Sequence, residues 1–453
     1  MNFSKLSLTK EMLQNLDKLD YKSMTPIQDE SLPHILKNTD VIAQAKTGSG
    51  KTAAFGIGLL HKLDVKKFRV QSLVLCPTRE LADQVAKELR RLAKFAHNIK
   101  ILTLCGGISF GPQLGSLRHG AHIIVGTPGR VLKHLDKNSL SLENLETLVF
   151  DEADRMLDMG FIEEIDKVLS YVPKQRQTLL FSATYPDEIL DLSTKIQKDA
   201  ISIKTISNES KNKITEYFYN VQDNKKLSTL INIFSTLKPQ NALVFCNTKI
   251  QTQEIAQTLQ QKGIDALAIN GDLEQYERND VLVQFSNSSC PILVATDVAA
   301  RGLDIKELAM VVNYDIPHAD ETYTHRIGRT GRAGKEGIAC TLYSEYETQN
   351  ANEYKNETRI FEQADSLKET QGFKMPPKNV TLVIEGGKKD KVRAGDILGA
   401  LTGDAGLSSD VIGKIDIYDR QSYVAIEQSV ADEAHKKLNN GKIKGKKFSV
   451  WIL

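Results

Sequence analysis

The chain has 453 residues, 41% of them hydrophobic and 26% charged, with a formal net charge of only +2. That is enough apolar material for roughly three domains of about 150 residues, and too even a charge balance for the whole molecule to act as a polycation; attraction to a polyanion must come from local patches. Cys76, Cys105, Cys246, Cys290 and Cys340 are scattered, odd in number and without a CxxC pair, which excludes a disulfide framework and a zinc site and predicts reduced, buried thiols. No stretch approaches the ~18 apolar residues of a membrane span, and no basic segment followed by an apolar core opens the chain. The expected location is the cytoplasm.

From residue 40 to about 203, short apolar runs alternate with helix-patterned segments: DVIAQA, SLVLC, KILTLC, HIIVGT, TLVFD, TLLFSAT. This alternation predicts a parallel sheet covered by helices on both faces. The polar stretch TISNESKNK predicts a linker, and ALVFCNT, ALAINGD, ILVATDVA, MVVNYD and GIACTLY then predict a second α/β domain ending near residue 365. After QGFKMPPKN the remaining elements read strand, helix, strand, strand, helix, strand, the order of RNA-recognition-motif folds. The predicted boundaries are 1–205, a linker at 206–212, 213–365, a linker at 366–373, and 374–453.

Within the first domain AKTGSGKT follows a strand and precedes an apolar helix. In that setting Gly48 and Gly50, with Thr47 and Ser49, let backbone N–H groups face phosphate oxygens; Lys51 can reach the β and γ phosphates and the Thr52 hydroxyl can hold Mg²⁺. Ala45 stands where the usual pattern has its first glycine. The strand LETLVF runs into Asp151, Glu152 and Asp154. Alone, such acids are a solvated turn. Ligands of parallel sheets bind beyond the carboxyl ends of the strands, so these acids and the phosphate loop converge, with Asp151 on the metal and Glu152 orienting the attacking water. HRIGRTGRAG carries three arginines among glycines; they suit a cradle for transition-state phosphate charge, with Arg329 and Arg332 as fingers.

Together these residues resemble the DEAD-box family of ATP-dependent RNA helicases. The resemblance runs from residue 1 to about 365 through MTPIQ, AKTGSGKT, PTREL, GG, TPGR, DEAD, SAT, ATDVAARGLDI and HRIGRTGR. It implies two tandem RecA-like domains, ATP and Mg²⁺ as cofactors, and RNA-stimulated ATP hydrolysis coupled to local unwinding of short RNA duplexes. It further implies that Gln28 reads the adenine edge, Tyr21 stacks on the adenine and Asp304 contacts the ribose. Phe3 matches the family's isolated upstream aromatic, Asp20 stands where the family usually has Gly, and Ser182 and Thr184 couple hydrolysis to RNA through Asp154. The strand would lie on Pro77, Thr78, Arg79, Gly107, Thr127, Arg130, Thr248, Gly271, Thr296 and Arg301, groups suited to sugar-phosphate contacts that carry no sequence information.

The tail, GGKKDKVRAGDILGALTGDAGL to NNGKIKGKKFSVWIL, resembles the C-terminal domain of bacterial DEAD-box helicases directed to a hairpin of large-subunit ribosomal RNA. Residues 374–453 hold 14 Lys and Arg against 10 Asp and Glu. Lys388, Lys389, Lys391 and Arg393 flank the first loop, and Lys442, Lys444, Lys446 and Lys447, with Lys436 and Lys437 before them, form a run without acids, the footprint expected for structured RNA. The third tail strand offers only Tyr423, without an aromatic pair for base stacking. The partners expected are ribosomal RNA and pre-ribosomal particles, with no membrane and a monomeric chain. Two other classes share parts of this machinery: a DNA-directed translocase, and an ATP-gated RNA clamp that does not hydrolyse.

Overall fold

The computed structural model describes residues 2–45, 48–185, 187–205, 214–300, 308–317, 319–331, 336–367, 372–404 and 406–453. The chain divides into two units, residues 1–209 with 302–304, and residues 210–301 with 305–453.

In the first unit the predicted apolar runs become β1 (Val41–Gln44), β2 (Ser72–Leu75), β3 (Ile101–Leu104), β4 (Ile123–Gly126), β5 (Thr147–Asp151) and β6 (Gln177–Ser182), joined by β7 (Ile201–Lys204). The sheet order is β3-β4-β2-β5-β6-β1-β7, every pairing parallel. Alternate residues feed two cores. Leu73, Leu148 and Leu180 pack on one face, Val74, Val149 and Leu179 on the other. Burial on both faces explains why these strands are continuous apolar runs without polar alternation.

The second unit repeats the design with β8 (Ile214–Asn220), β9 (Ala242–Cys246), β10 (Ala266–Ile269), β11 (Ile292–Thr296), β12 (Met310–Asn313), β13 (Gly337–Tyr343) and β14 (Ile360–Gln363). Its order, β10-β11-β9-β12-β13-β8-β14, is that of the first sheet shifted by one full set. The five cysteines are buried and reduced. No described helix is long and apolar enough to cross a membrane. The linker predicted at 206–212 lies outside the described residues, as do 368–371 of the second.

The tail forms β15 (Asn379–Ile384), the helix Ala394–Gly399, β16 (Ile412–Ile417), β17 (Ser422–Glu427), the helix Ala431–Asn440 and β18 (Val450–Ile452). The antiparallel order is β16-β17-β15-β18. Leu382, Ile384, Val424 and Ile426 face the two tail helices. The opposite face is covered by the helix Gln275–Ser286 of the second sheet domain: Val383 and Tyr423 pack on Val283, and the Tyr423 hydroxyl donates to Asp280 at 2.8 Å. At the rim Asn379 Nδ2 donates to the Asn287 carbonyl at 2.8 Å and the Ser289 and Thr381 hydroxyls meet at 2.7 Å. On this face Val383 and Tyr423 are therefore covered, while Trp451, in register with Val383 on the edge strand β18, stays 37% exposed.

Candidate active site and nucleic-acid interface

The phosphate loop is set by its neighbours. Gly50 has φ +95°, a left-handed backbone that favours glycine, and a Cβ there would fall 2.5 Å from Gln28 Nε2. Gln28 is buried, receives the Thr25 amide on its oxygen at 3.0 Å and donates to the Gly50 carbonyl at 3.1 Å; it ties the Thr25–Gln28 turn to the loop. The helix Lys51–Lys62 starts immediately afterwards, so its positive end faces the loop. Lys51 is buried and donates to the Ala45 carbonyl at 2.8 Å, and Thr52 stands on the first turn. Gly48 has φ +86°; Thr47 lies outside the described residues. Ser49 Oγ is buried without a hydrogen-bond partner.

Asp151 closes β5 and Glu152 follows it with φ +55°, an uncommon conformation for a glutamate. Strain of this kind persists where function holds it. Burial lifts the Asp151 carboxyl to about 7, against the lowering pull of Lys51 and with the Glu152 charge adding to the rise. Its Oδ1 is buried with no hydrogen-bond donor. A buried carboxylate oxygen left without a donor suits a cation, so the pair Thr52 and Asp151 fits a magnesium ion that completes its shell with phosphate oxygens and water. Among the described residues no group of three His, Cys, Asp or Glu could hold a metal alone. Glu152 Oε2 lies 3.4 Å from Arg155 Nε, both side chains about 5% exposed.

Asp154 is a junction. Its Oδ2 accepts from the Ala183 amide, the Thr184 amide and the Thr184 hydroxyl at 3.1, 3.0 and 2.9 Å, while its own amide donates to Ser182 Oγ at 3.3 Å. Burial opposes its charge, but Lys51 and the Thr184 donors prevail and hold the carboxyl below its ordinary value. The acids after β5 and the SAT segment after β6 are thus one hydrogen-bonded body. Tyr21 is engaged locally: its hydroxyl donates to Glu88 at 2.6 Å, Arg91 lies over its ring at 5.4 Å, and buried Phe3 meets it edge-on at 6.1 Å. Asp20, at the family's glycine position, has φ +64°, a left-handed turn that Asp tolerates better than most residues.

In the same unit Pro77, Thr78, Gly107, Thr127 and Arg130 follow β2, β3 and β4. Thr78 caps the helix Arg79–Leu92, its hydroxyl accepting from the Leu81 amide at 3.3 Å and keeping its proton for an acceptor. Gly107 has φ +69°, and a Cβ there would fall on the Arg79 guanidinium. Thr127 starts the helix Pro128–Asp136, on whose first turn Arg130 stands. In the second unit Thr248 caps the helix Lys249–Gln261, Gly271 follows β10 against the Lys249 side chain, and Thr296 ends β11. Arg301, Asp304 and Arg332 lie outside the described residues.

The HRIGR segment holds a correction to its reading as a set of three phosphate-cradling arginines. Arg326 is 2% exposed and fully engaged within its own domain. Its Nε and Nη2 donate to the two oxygens of Asp297 at 2.7 and 2.6 Å, and its Nη1 to the Asp315 carbonyl at 2.8 Å, with Phe245 under the guanidinium. It is an internal brace, not a candidate phosphate ligand. Arg329 is buried as well and follows the helix Asp320–Ile327.

The tail brings its two basic loops together. Lys388, Lys389, Lys391, Arg393, Lys442, Lys444, Lys446 and Lys447 are all exposed, and Lys444 Nζ donates to the Lys391 carbonyl at 2.9 Å. Beside them Lys436, Lys437, Asn440, Gly441 and Lys442 line a cavity of about 360 Å³. Local sequence gave no sign of the Arg326–Asp297 pair, of Arg278 donating to the Ala299 carbonyl at 2.6 Å, or of Gln113 and His134 beside Arg130.

Comparison with known proteins agrees with this geometry. Residues 25–192 match the DEAD/DEAH box helicase family, 225–334 the helicase conserved C-terminal domain and 381–452 the DbpA RNA binding domain. The chain belongs to the DEAD-box family of ATP-dependent RNA helicases, with the DbpA type of RNA-binding tail. It is 50% identical to the ATP-dependent RNA helicase DbpA of Escherichia coli strain K12, over 100% of this chain and 99% of that protein. It is 46% identical to the DEAD-box ATP-dependent RNA helicase CshA of Bacillus cereus over 76% of this chain and 66% of that one. Among solved structures, Saccharomyces cerevisiae Dbp5 bound to RNA and ADP BeF3 aligns with a TM-score of 0.72 at 29% identity, covering 81% of this chain and 96% of that one.

Proposed function

We propose that this ATP-dependent RNA helicase is directed by its tail to a hairpin of large-subunit ribosomal RNA, where it opens short duplexes during ribosome assembly in the cytoplasm, as a monomer. The domains doing so are residues 1–205, 213–365 and 374–453. The observation that carries the targeting is the pair of exposed lysine loops joined by Lys444, on a tail whose sheet-face tyrosine, Tyr423, is engaged by Asp280. With Tyr423 covered, affinity rests mainly on cations and loop backbone, which suit folded RNA.

For the reaction, Gln28 and Tyr21 hold the adenine, Asp304 the ribose, and the 47–52 loop with Lys51 the phosphates. Thr52 and Asp151 hold magnesium, which when bound neutralises phosphate charge. Glu152 orients the water for attack, Arg329 and Arg332 bring positive charge to the phosphate in transfer, and Asp154, Ser182 and Thr184 relay strand binding to hydrolysis. RNA lies on Pro77, Thr78, Arg79, Gly107, Thr127, Arg130, Thr248, Gly271, Thr296 and Arg301. RNA and ATP together close the two helicase domains on each other, and a closed surface that bends one strand expels its partner.

The test is ATPase stimulation by a large-subunit ribosomal RNA fragment against oligouridylate, in the full chain and in a Lys388→Glu, Lys391→Glu, Lys446→Glu, Lys447→Glu chain. The ribosomal fragment should stimulate at concentrations at least about tenfold lower than oligouridylate, and the substitutions should remove that advantage. An advantage that survives them refutes targeting by these loops.

A further inference from the structure

The helices Phe110–Leu117 and Pro128–Asp136 are joined through Arg130 of TPGR and through Gln113 and His134, which belong to none of the sequence motifs above. Gln113 is 5% exposed. Its amide nitrogen donates to the Cys105 carbonyl at 3.0 Å, one residue ahead of Gly106 and Gly107. Its oxygen receives two donors, Arg130 Nη1 at 2.7 Å and His134 Nε2 at 3.0 Å. The second arm of Arg130, Nη2, donates to the Ile108 carbonyl at 2.9 Å. Both arms of the guanidinium are therefore tied to the GG loop, directly or through Gln113, and its remaining N–H groups stay available.

His134 completes the clamp. It is fully buried, stacked on Phe110 with ring centroids 4.1 Å apart and planes within 15°, and its Nδ1 faces Ser139 Oγ at 2.8 Å. Burial, with Arg130 and Lys133 adding to it, lowers the imidazole to about 4, so the ring is neutral at physiological pH. A neutral ring carries one N–H, and the Gln113 oxygen can only accept, so the proton sits on Nε2; the single Ser139 hydroxyl proton faces both the His134 carbonyl at 2.9 Å and Nδ1 at 2.8 Å. From His134 to Gln113 to Arg130 each contact pairs a donor with an acceptor.

We propose that Gln113 and His134 are positioning residues for the RNA strand, holding the Arg130 guanidinium in one orientation beside Gly107 so that it meets a backbone phosphate without first being ordered. A free arginine side chain loses much rotamer freedom when it is fixed; here that ordering is complete before RNA arrives. The inference rests on the proposed contact between Arg130 and RNA, and its test separates the two.

The measurement is binding of a fluorescently labelled oligouridylate to the full chain with a non-hydrolysable ATP analogue, with ADP affinity as the control for folding. Arg130→Ala is the reference and should weaken RNA by at least about tenfold. Gln113→Met keeps the volume and removes the acceptor; it should approach the Arg130→Ala loss, with ADP affinity within about twofold. Gln113→Glu keeps an acceptor for both Arg130 and His134 and forfeits only the donor to Cys105, so it should stay within about threefold of the parent. If Arg130→Ala weakens RNA but Gln113→Met does not, positioning by Gln113 is refuted while the RNA contact stands. If Gln113→Glu is as damaging as Gln113→Met, or ADP affinity falls in step, Gln113 serves only to support the fold and the proposal is overturned. If Arg130→Ala itself leaves RNA affinity unchanged, the contact and the clamp fall together.

Discussion

Strands β5 and β12 hold the same place in two sheets of the same order, and each leads into an aspartate, Asp151 or Asp315. Their surroundings differ. Asp315 accepts from the Asn247 amide at 2.8 Å and has Lys226 Nζ at 3.8 Å, so its charge is answered within its own domain. Asp151 keeps an oxygen buried without a donor and its carboxyl is lifted to about 7 by burial. The fold supplies a crevice at the carboxyl end of both sheets; among the described residues, the aspartate after β5 keeps an oxygen without a donor and the one after β12 does not. In the second, the Arg326–Asp297 pair likewise answers charge within the domain.

The largest effect that separates the two crevices is expected from Glu152→Gln, which should lower RNA-stimulated turnover by about 10³-fold while ATP and RNA still bind, since it removes the group that orients and polarises the attacking water. Asp315→Asn should leave turnover per folded molecule within about twofold. Comparable losses in the two variants would erase the distinction.

Next in size is the internal brace. Arg326→Met strands Asp297, and Asp297→Asn leaves a buried guanidinium short of its counter-charge; the latter should cost about 3–5 kcal/mol of stability, read from the urea midpoint of the full chain. A loss confined to phosphate binding, with the midpoint unmoved, would put Arg326 back among the phosphate ligands.

A smaller effect follows from the raised Asp151 carboxyl. The native state holds this proton to about pH 7, whereas the unfolded chain loses it near 4, so nucleotide-free stability falls as pH rises through that window and levels off above it. Asp151→Asn removes the penalty. It should stabilise the nucleotide-free protein by on the order of 2–4 kcal/mol at pH 8 and by little at pH 4; a gain independent of pH would mean that ionisation of Asp151 is not its source. The smallest effect is at the covered face of the tail, where Tyr423→Phe should cost about 1 kcal/mol through loss of the Asp280 hydrogen bond and raise hydrogen exchange along β17.

The two crevices also show what sequence can reveal. Strands β2, β5, β9 and β11 are buried on both faces and lie bare in the sequence as apolar runs. The edge strands β7 and β14, mostly exposed, have no such run and escaped it, as did β8, whose residues ITEYFYN are only partly buried. The predicted last strand KFSVWIL shortens to Val450–Ile452. In the first crevice the phosphate loop and the acids are local patterns and could be read directly. Arg326 reaches Asp297 across 29 residues and His134 reaches Gln113 across 21; only the folded topology creates those pairs, so an arginine that serves as a brace looks in sequence like one that serves a phosphate.

The proposed function requires RNA to bring the acids after β5 and the arginines of the second unit to one triphosphate. The direct measurement is the steady-state ATPase rate of the purified full chain at saturating ATP and magnesium, with and without large-subunit ribosomal RNA. The predicted result is a rate at least about tenfold higher with RNA; equal rates in its absence would contradict the account.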